Sequence, residues 1–448
     1  MKKNKKINLK VSIKFCFFLL FFSICLSLFS NGDIVWKLSL KKLLLNNNLN
    51  LIYQEDGSSR ITILQILING GKKADPLIKK GLCYLTTRLV LELPDRSKIQ
   101  ELMVSGSSFE LKVEGDYSII TLRSLSKNFN ESLALISKLI INPLFSSQRI
   151  FLIKKQMEFM QKEEEDNTLL LMLKSNFNFF FKEKGYGGSV FGNKETLKSI
   201  KRKDVVNFYK KYFNLSNVVF SVVTDLKQKE IKNLFEKNFK KMPVKSYVKK
   251  GSTEFLNLFK ENDPRKSRVI SLKRNKQQTL VSYAALLPGR DRENFVLAYM
   301  LKNLMGKGVK SRLWALRDPM NLAYTVNADT AQMRDSGLFN LYLKTDKKKR
   351  EKAIEETKKI IENLYEKGVN EEEFNIAKLF SKANFLRENE TKGVRALNLV
   401  RFEAMGLGFE FYNRFFSMID RITLERFNLY MKKVLFNENL VEVLIGPE

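Results

Sequence analysis

Two stretches of the chain, 222 residues apart, share one pattern of apolar and polar positions. Ile200–Thr224 and Ile422–Gly446 align without a gap. In each stretch, apolar residues first recur at helical spacing, a short polar turn follows, and an apolar run comes last. This pattern predicts an amphipathic helix that leads into a buried strand. The chain therefore contains an internal repeat with a period of about half its length.

The repeat extends upstream in both halves. Each half shows a helical pattern, then two strand patterns, then a long helical section. These patterns lie at Lys79–Leu93, Phe109–Val113, Ser118–Arg123 and Asn128–Ile141 in the first half, and at Glu293–Leu304, Ala323–Ala328, Leu338–Leu343 and Lys348–Leu364 in the second. One sheet packed against helices accommodates each set. The predicted fold class is therefore α+β, with a mixed or antiparallel sheet against helices formed twice in tandem.

A polar segment at 242–265 separates the two copies. It contains Pro243 and Pro264 and has no sustained apolar period, as expected for a linker. We therefore predict one α+β domain at 34–241 and a second at 266–448.

The N-terminus has the pattern of a targeting segment. Six lysines precede Phe15–Phe29, an almost unbroken apolar run, and Ser30–Gly32 follow it. This order is typical of a secretory signal peptide, with an uncleaved membrane anchor as the alternative. Cys25 follows the bulky Ile24, a poor match to an acylation site. We expect residues 1–32 to direct export to the periplasm, or to anchor the chain at the periplasmic face of the inner membrane through this segment alone.

The chain is strongly basic, with a net charge of +31 from 79 basic and 48 acidic residues. Its lysines are spread along the whole sequence, without an arginine-rich recognition helix or a zinc-finger spacing. Diffuse positive charge gives non-specific attraction to anionic surfaces. We therefore expect no specific nucleic-acid partner.

The chain contains no histidine. Histidine is the usual general base near neutral pH and the commonest protein ligand of zinc. Its absence excludes Ser-His-Asp and Cys-His nucleophiles and every zinc site built on histidine. Behind the N-terminal segment the one cysteine is Cys83, which we expect to be a small buried residue. A pH-dependent step between pH 5 and 8 then requires a strongly shifted acid or lysine, a partner or a substrate.

Several short motifs occur in a fixed order along the chain. They are Asn69–Pro76, Gly81-Leu82, Asn142–Phe145, Tyr186-Gly187 and Gly192–Leu197. Together with the internal repeat, they resemble the pitrilysin/insulinase type of zinc metallopeptidase, the inverzincins that include mitochondrial processing peptidase. The resemblance extends over nearly the whole chain behind the N-terminal segment. It implies half of a peptide-enclosing chamber, built of two tandem homologous domains.

The resemblance also locates a degenerate zinc site. The family motif G-L-x-H-x-x-E-H falls on Gly81–Arg88, with Tyr84 and Arg88 at the two histidines and Thr87 at the glutamate that activates water. All three chemical groups are lost. We therefore expect no metal and no catalytic residue in this chain.

The third zinc ligand of the family is a glutamate on a downstream helix. The resemblance places this position at Met160, with Glu163 as the alternative if the helix is shifted. The acidic run Glu163–Asp166 is interpreted as a solvated helix end, because one carboxylate on this helix cannot hold catalytic zinc alone.

The second half keeps a motif that resembles the substrate-binding segment of the family. Gly306–Leu313 and Arg317–Tyr324 match G-x-x-S-R-L and R-x-x-x-G-L-A-Y, with Asn321 in place of the glycine. The resemblance implies that Arg317 and Tyr324 reach across the chamber to the substrate backbone and the oxyanion formed at zinc. Guanidinium and phenol groups are strong donors to such an oxygen. The alternative is an ordinary salt-bridged arginine and a core tyrosine.

We therefore expect a non-catalytic subunit of a zinc metallopeptidase of the processing-peptidase type. Its partner would be a paralogous subunit that contains H-x-x-E-H and carries the zinc, in a heterodimer that binds peptide substrates. The alternative is an inert scaffold or binding protein of the same fold without a peptidase partner. An unrelated enzyme chemistry has no support, because the sequence lacks a Gly-rich phosphate loop and a G-x-S-x-G elbow.

Overall fold

Two sheets, one from each half of the chain, organise the computed structural model. It describes residues 37–447 except for 46–48, 93–99, 101, 103, 182–184, 245–267, 290, 307 and 335. From Ser39 onward the chain forms one unit. The predicted segment 1–32 and the predicted linker beyond Val244 lie outside the described residues. Within the described part, every helix is too short or too polar to span a bilayer.

The first sheet has six strands, which are β1 Leu40–Leu44, β2 Asn50–Glu55, β3 Ile61–Ile68, β4 Ser108–Val113, β5 Ser118–Leu125 and β6 Val218–Thr224. Their order is β1-β2-β6-β3-β5-β4. Neighbouring strands are antiparallel except β2 and β6, which are parallel. The central strand β3 is buried along nearly all of its length, as expected where both faces of a sheet are covered.

The second sheet has five strands, which are β7 Val269–Lys273, β8 Gln278–Leu286, β9 Thr325–Gln332, β10 Gly337–Asp346 and β11 Leu440–Gly446. Their order, β7-β11-β8-β10-β9, repeats the order β2-β6-β3-β5-β4 of the first sheet. The pair β7 and β11 is parallel, like β2 and β6. Because both sheets pack against helices, the predicted α+β fold with a repeated mixed sheet is confirmed.

Fourteen α-helices are described in the two halves. The first half contributes α1 Leu82–Val90, α2 Phe129–Ile141, α3 Ser147–Asp166, α4 Thr168–Phe181, α5 Lys194–Ser199, α6 Arg202–Tyr212 and α7 Gln228–Phe239. The second contributes α8 Arg292–Gly306, α9 Trp314–Arg317, α10 Arg350–Lys367, α11 Glu371–Glu388, α12 Lys392–Ala404, α13 Phe411–Arg421 and α14 Leu424–Leu435. The first core lies between the first sheet and the helices of its own half, including α1, α2 and α3.

The two halves exchange one helix each. The first-half helix α4 packs on β8 and β11 of the second sheet, where Asn176 Nδ2 donates to Asn340 Oδ1 (3.0 Å). The second-half helix α12 packs on β3 and β6 of the first sheet, where Ser221 Oγ donates to the carbonyl of Ala396 (2.6 Å). Each exchanged helix buries apolar side chains against the sheet of the other half. Neither sheet is therefore fully covered by helices of its own half.

Buried charges anchor α12 to the first half. Lys392 Nζ donates to the carbonyl oxygens of Asp56 (2.7 Å), Ser59 (2.9 Å) and Ile61 (3.1 Å). One turn along the helix, Arg395 forms an ion pair with the Asp56 carboxylate. Both basic side chains are nearly inaccessible to solvent. Unpaired buried charges are costly, so these contacts fix the position of α12 on the first sheet.

Candidate functional site

The site predicted from the sequence is centred on α1, and Asp75 fixes the start of this helix. The two carboxylate oxygens of Asp75 accept hydrogen bonds from Gly81 N (2.9 Å) and Cys83 N (2.7 Å). Gly81 has a φ of 96°, a left-handed conformation that glycine adopts without strain. Burial raises the pKa of the Asp75 carboxyl to about 7. The first half thus has an acid that titrates near neutral pH, in a chain without histidine.

Tyr84 and Met160, two of the predicted degenerate zinc positions, contact each other. The Tyr84 hydroxyl donates to Met160 Sδ at 3.4 Å, across the space between α1 and α3. The Tyr84 ring also packs edge-on against Phe191, with centroids 4.9 Å apart. The structure therefore brings these two positions together, with a phenol and a thioether in place of imidazole and carboxylate.

Thr87, at the glutamate position, is fully buried and is not available to a substrate. Its hydroxyl donates to the carbonyl of Cys83 (2.9 Å), one turn earlier in α1, and to Ser118 Oγ (3.4 Å) on β5. A threonine hydroxyl bonded back into its own helix has no basic character at neutral pH. This position cannot activate water.

Arg88, at the second histidine position, forms an ion pair with Glu92 (2.6 Å), which also pairs with Arg149 from α3 (2.9 Å). The guanidinium group therefore has a structural partner on its own helix. A permanent positive charge at this point repels a divalent cation. At the position predicted to correspond to a zinc ligand, Arg88 is thus a group that opposes zinc binding.

The acidic run at the end of α3 does not complete a metal site. Glu163 is exposed, and Glu164 and Glu165 lie near Lys174, at 3.8 Å and 3.4 Å. Among the described residues, no three Cys, Asp or Glu side chains converge as metal ligands would. Zinc requires thiolate, imidazole or carboxylate donors, so the residues at the four predicted positions do not fit this ion.

An open cavity of about 1110 Å³ lies beside these positions. Tyr84, Arg88 and Met160 line one side of it, and Phe109 of the edge strand β4 and Phe159 of α3 line another. Phe159 is 62% exposed, an unusual position for a large apolar side chain. Three of the four positions predicted as a degenerate zinc site therefore lie in the wall of an apolar cavity that is open to solvent.

Cys83 is buried, as the sequence predicted. Its thiol donates to the carbonyl of Gly70 (3.1 Å) and lies 3.1 Å from Ser118 Oγ. Burial raises the pKa of the thiol well above its usual value. A protonated, inaccessible thiol is a poor nucleophile, so Cys83 serves the packing of α1 against β5.

Arg317 and Tyr324 lie at the surface of the second half. The Arg317 guanidinium stacks over the Trp314 ring at 4.9 Å from its centroid, and it forms no ion pair with a described residue. Tyr324 is 55% exposed, and its hydroxyl donates to Asp346 Oδ2 (3.0 Å). The alternative prediction was a salt-bridged arginine and a core tyrosine. Arg317 forms no ion pair with a described residue and Tyr324 lies outside the core, so the structure does not match this alternative.

Asn321 keeps the turn that a glycine would form between these two residues. Its φ is 51°, in the left-handed region, where asparagine is among the best-tolerated residues other than glycine. Asparagine at this position therefore adopts a backbone conformation that glycine would also favour.

A second cluster, which the sequence analysis missed, lies on α8, the helix that follows the central strand of the second sheet as α1 follows that of the first. On α8, the Tyr299 hydroxyl donates to Glu388 Oε2 (2.8 Å), and Lys302 Nζ donates to both oxygens of that carboxylate (3.1 and 3.2 Å). Lys302 also lies over the Tyr299 ring, 4.2 Å from its centroid. A lysine within the otherwise apolar stretch of α8 is the signal that could have revealed this cluster.

Comparisons with known proteins agree with the repeated fold and the missing motif. Residues 199–379 match the family described as Peptidase M16 inactive domain. The Helicobacter pylori protein described as Non-peptidase homolog YmxG is 23% identical over 392 residues, which cover 85% of this chain and 88% of that protein. By these matches the chain is similar to M16 peptidase homologues, and its sequence lacks the zinc-binding motif. The predicted resemblance to the pitrilysin and processing-peptidase type, which is the M16 type, is therefore confirmed.

Solved structures share the fold of this chain. The peptidase M16 inactive domain from Pseudomonas fluorescens has a TM-score of 0.80 and 19% identity, over 92% of this chain and 98% of that chain. The periplasmic protease PqqL from Escherichia coli has a TM-score of 0.70 and 13% identity, over 94% of this chain and 46% of PqqL. At such identities the likeness concerns the fold alone.

Proposed function

We propose that this chain is a non-catalytic subunit of a two-chain zinc peptidase, in which it contributes peptide-substrate binding through Arg317 and Tyr324. The observation that carries the proposal is their exposure. Tyr324 is 55% exposed, and Arg317 makes no ion pair with a described residue, so packing or charge pairing does not account for them. Each is nevertheless held in place, Arg317 by Trp314 and Tyr324 by Asp346.

The chemistry of the pair suits an oxyanion formed at a partner's zinc. The hydrogen bond to Asp346 raises the pKa of the Tyr324 phenol, so this group stays protonated at neutral pH. Its one O–H would turn from Asp346 to the oxyanion when that oxygen forms. The Arg317 guanidinium is always charged. Preorganised donors of this kind stabilise the negative oxygen of a transition state more than the carbonyl of the substrate.

The residues at the predicted zinc positions of the first half favour a non-catalytic role for this chain. Tyr84, Thr87, Arg88 and Met160 provide neither a zinc ligand nor a base, and Arg88 opposes a cation. The zinc would therefore be carried by a paralogous partner with H-x-x-E-H.

Peptide binding is also supported by the cavity beside α1. The outer edge of β4 pairs with no described strand, and Phe109 and Leu111 of this strand line the cavity. A free strand edge next to an apolar cavity can accept an extended peptide, which adds backbone hydrogen bonds and places alternate side chains in the cavity. The net charge of +31 favours acidic over basic peptides.

We propose that the complex acts in the periplasm, after export directed by residues 1–32. The basic and apolar pattern of this segment and the similarity in fold to the periplasmic protease PqqL support this location. A membrane would be contacted through that segment only, if it is uncleaved, and no specific nucleic acid is involved.

The test is to isolate the chain with its partner from a periplasmic extract, measure bound zinc, and assay peptide cleavage. The double variant Arg317→Ala, Tyr324→Phe is expected to lower kcat by roughly 10²–10³-fold, the usual cost of a lost oxyanion donor. The matched control is Arg414→Ala with Tyr365→Phe, an exposed pair on α13 and α10, which should leave kcat unchanged.

Two results would contradict the proposal. Unchanged turnover in the Arg317 and Tyr324 variant would remove the substrate-binding role. Recovery of the chain without any zinc-bearing partner would favour the inert scaffold instead.

A further inference from the structure

A second cavity, of about 310 Å³, lies in the second half of the chain. It is bounded by the helices α8, α11 and α12 and by the edge strand β9. Its volume is at the lower end of the roughly 300–1,000 Å³ typical of small-molecule sites. It is therefore large enough for a small metabolite and too small for a folded partner.

Arg401 lines this cavity, and part of its guanidinium group has no hydrogen-bond partner among the described residues. Its Nε donates to the Tyr117 hydroxyl (2.8 Å), and no described residue accepts a hydrogen bond from its two Nη atoms. The bond to Tyr117 fixes the plane of the group. A positioned guanidinium with both Nη atoms available is well suited to bind a carboxylate through two parallel hydrogen bonds.

Asp329, on β9, lines the same cavity with the opposite charge. Its Oδ1 accepts a hydrogen bond from the backbone N–H of Thr330 (3.0 Å), and its carboxylate forms no ion pair with a described residue. The pKa of Arg401 is raised mainly by Tyr117, then by Glu114 and, least, by Asp329. Of these two carboxylates, Asp329 is the one that lines the cavity. The two charges are thus close enough to interact and too far apart to form an ion pair with each other.

The remaining charges of the cavity already have partners. Lys302 pairs with Glu388, and the Tyr299 hydroxyl donates to the same carboxylate. Arg401 and Asp329 therefore remain as the separated pair that a ligand can bridge.

Aromatic side chains form the apolar part of the wall. Phe295 and Phe402 line the cavity and pack edge-on against each other, with centroids 5.6 Å apart. Phe385 and Met405 add further apolar surface. A ligand that carries an apolar side chain beside its charged groups would bury that side chain here.

We infer that this cavity binds a free α-amino acid with an apolar side chain, whose carboxylate is held by Arg401 and whose ammonium is held by Asp329. In a free α-amino acid, the ammonium and the carboxylate groups are both attached to Cα. An internal peptide segment has neither charged group, and a peptide terminus has one of them. The inference does not depend on the proposed peptidase partner, because all the residues belong to this chain.

The test is calorimetric titration of the purified full chain with L-leucine and three related probes. L-Phenylalanine is expected to bind as well, since its side chain can pack against the same aromatic wall. N-acetyl-L-leucine lacks the ammonium and L-leucine methyl ester lacks the carboxylate. Each is expected to bind roughly tenfold or more weakly than leucine, the cost of one lost charge-assisted hydrogen bond.

Two variants assign the charges. Asp329→Asn, at an exposed position, should weaken leucine roughly tenfold and leave N-acetyl-leucine unchanged. Arg401→Lys should weaken leucine and leave the methyl ester unchanged, because lysine lacks the two-pronged geometry. Asp166→Asn, at the exposed end of α3, is the control and should bind like the unmodified chain.

Three results would overturn the inference. They are the absence of binding by leucine and phenylalanine, equal binding of leucine and its two derivatives, or unchanged leucine binding in Asp329→Asn. If Arg401→Lys does not fold, which thermal denaturation would reveal, the Asp329 variant and the derivatives decide alone.

Discussion

The two halves carry a tyrosine and a cation on corresponding helices of a repeated fold, α1 and α8, but the two pairs have different surroundings. In the first half, Tyr84 contacts Met160, and both line a wide apolar cavity together with Arg88. In the second half, Tyr299 and Lys302 both bind Glu388 beside a smaller polar cavity. The motif of the catalytic relatives is absent from both, yet neither site has collapsed.

The difference between the sites lies in how each charge is balanced. Arg88 shares Glu92 with Arg149, and both arginine side chains are partly exposed to solvent. Lys302 is 7% exposed and depends on Glu388. A water-accessible cluster tolerates the loss of one partner, whereas a buried cation does not. Substitution of a charged residue is therefore tolerated better in the first cluster than in the second, where the buried Lys302 requires Glu388.

The largest expected effect is a gain of zinc binding in the first half. The variant Tyr84→His, Thr87→Glu, Arg88→His, Met160→Glu restores the ligand set on helices whose spacing already brings positions 84 and 160 into contact. We expect one zinc ion per chain by native mass spectrometry. The same variant with Met160 retained should bind at least about 100-fold more weakly, because a ligand is missing.

A folded four-residue variant that binds no zinc would show that the backbone of this site, and not only its side chains, has departed from the catalytic relatives. Circular dichroism of the variant separates this result from misfolding.

A pH effect on stability is expected from Asp75 in the first half. The folded-state pKa of Asp75 is about 7, above its ordinary value of 3.8, so the folded chain binds an additional proton between these values. The contribution of Asp75 to stability is thus fully present below about pH 4 and is lost as the pH rises to 7, by on the order of 2–4 kcal/mol.

Urea denaturation between pH 5 and pH 7.5 measures this slope. Asp75→Asn should flatten it, whereas Asp291→Asn, at the exposed start of α8, should leave it unchanged. Lys72 does not obscure the result, since burial lowers its pKa only to about 8 and its effect lies above that pH. A slope that survives in the Asp75 variant would contradict the assignment.

A smaller effect on the free energy of unfolding should distinguish the Glu388 carboxylate from the Glu92 carboxylate. Glu388→Ala leaves the buried Lys302 without its partner and is expected to cost about 2–3 kcal/mol of stability, reduced from the fully buried case because Glu388 is itself about one-third exposed. Glu92→Ala leaves Arg88 and Arg149 accessible to water and should cost about 1 kcal/mol or less. Equal costs in urea denaturation would show that the two clusters are not different in kind.

The sequence pattern located most of the helices and strands, because each helix buries one apolar stripe and each strand buries at least one apolar face. The predicted strand Ser118–Arg123 is observed as Ser118–Leu125, and the predicted helix Asn128–Ile141 as Phe129–Ile141. The resemblance also placed Tyr84 and Met160 at positions that the structure brings into contact. Periodicity and motif spacing are local signals, and these features depend on local signals.

The exchange of α4 and α12 was not predicted, because an apolar stripe does not specify which sheet will cover it. The pairing of Tyr299 and Lys302 with Glu388 was missed for a related reason. These residues lie almost ninety positions apart in the chain, and no family motif marks them. The role of Arg317 and Tyr324 stays a prediction that the cleavage assay tests.

The exchanged helix α12 has a consequence for synthesis of the chain on the ribosome. The face of the first sheet formed by Leu67, Ile119 and Val219 is covered by Val400 and Ala404. After β6 has emerged, this apolar face stays uncovered until α12 is translated, roughly 10–40 s later at 5–20 residues per second. The nascent first half is therefore expected to bind chaperones during this interval, and a chain truncated before α12 should aggregate rather than fold.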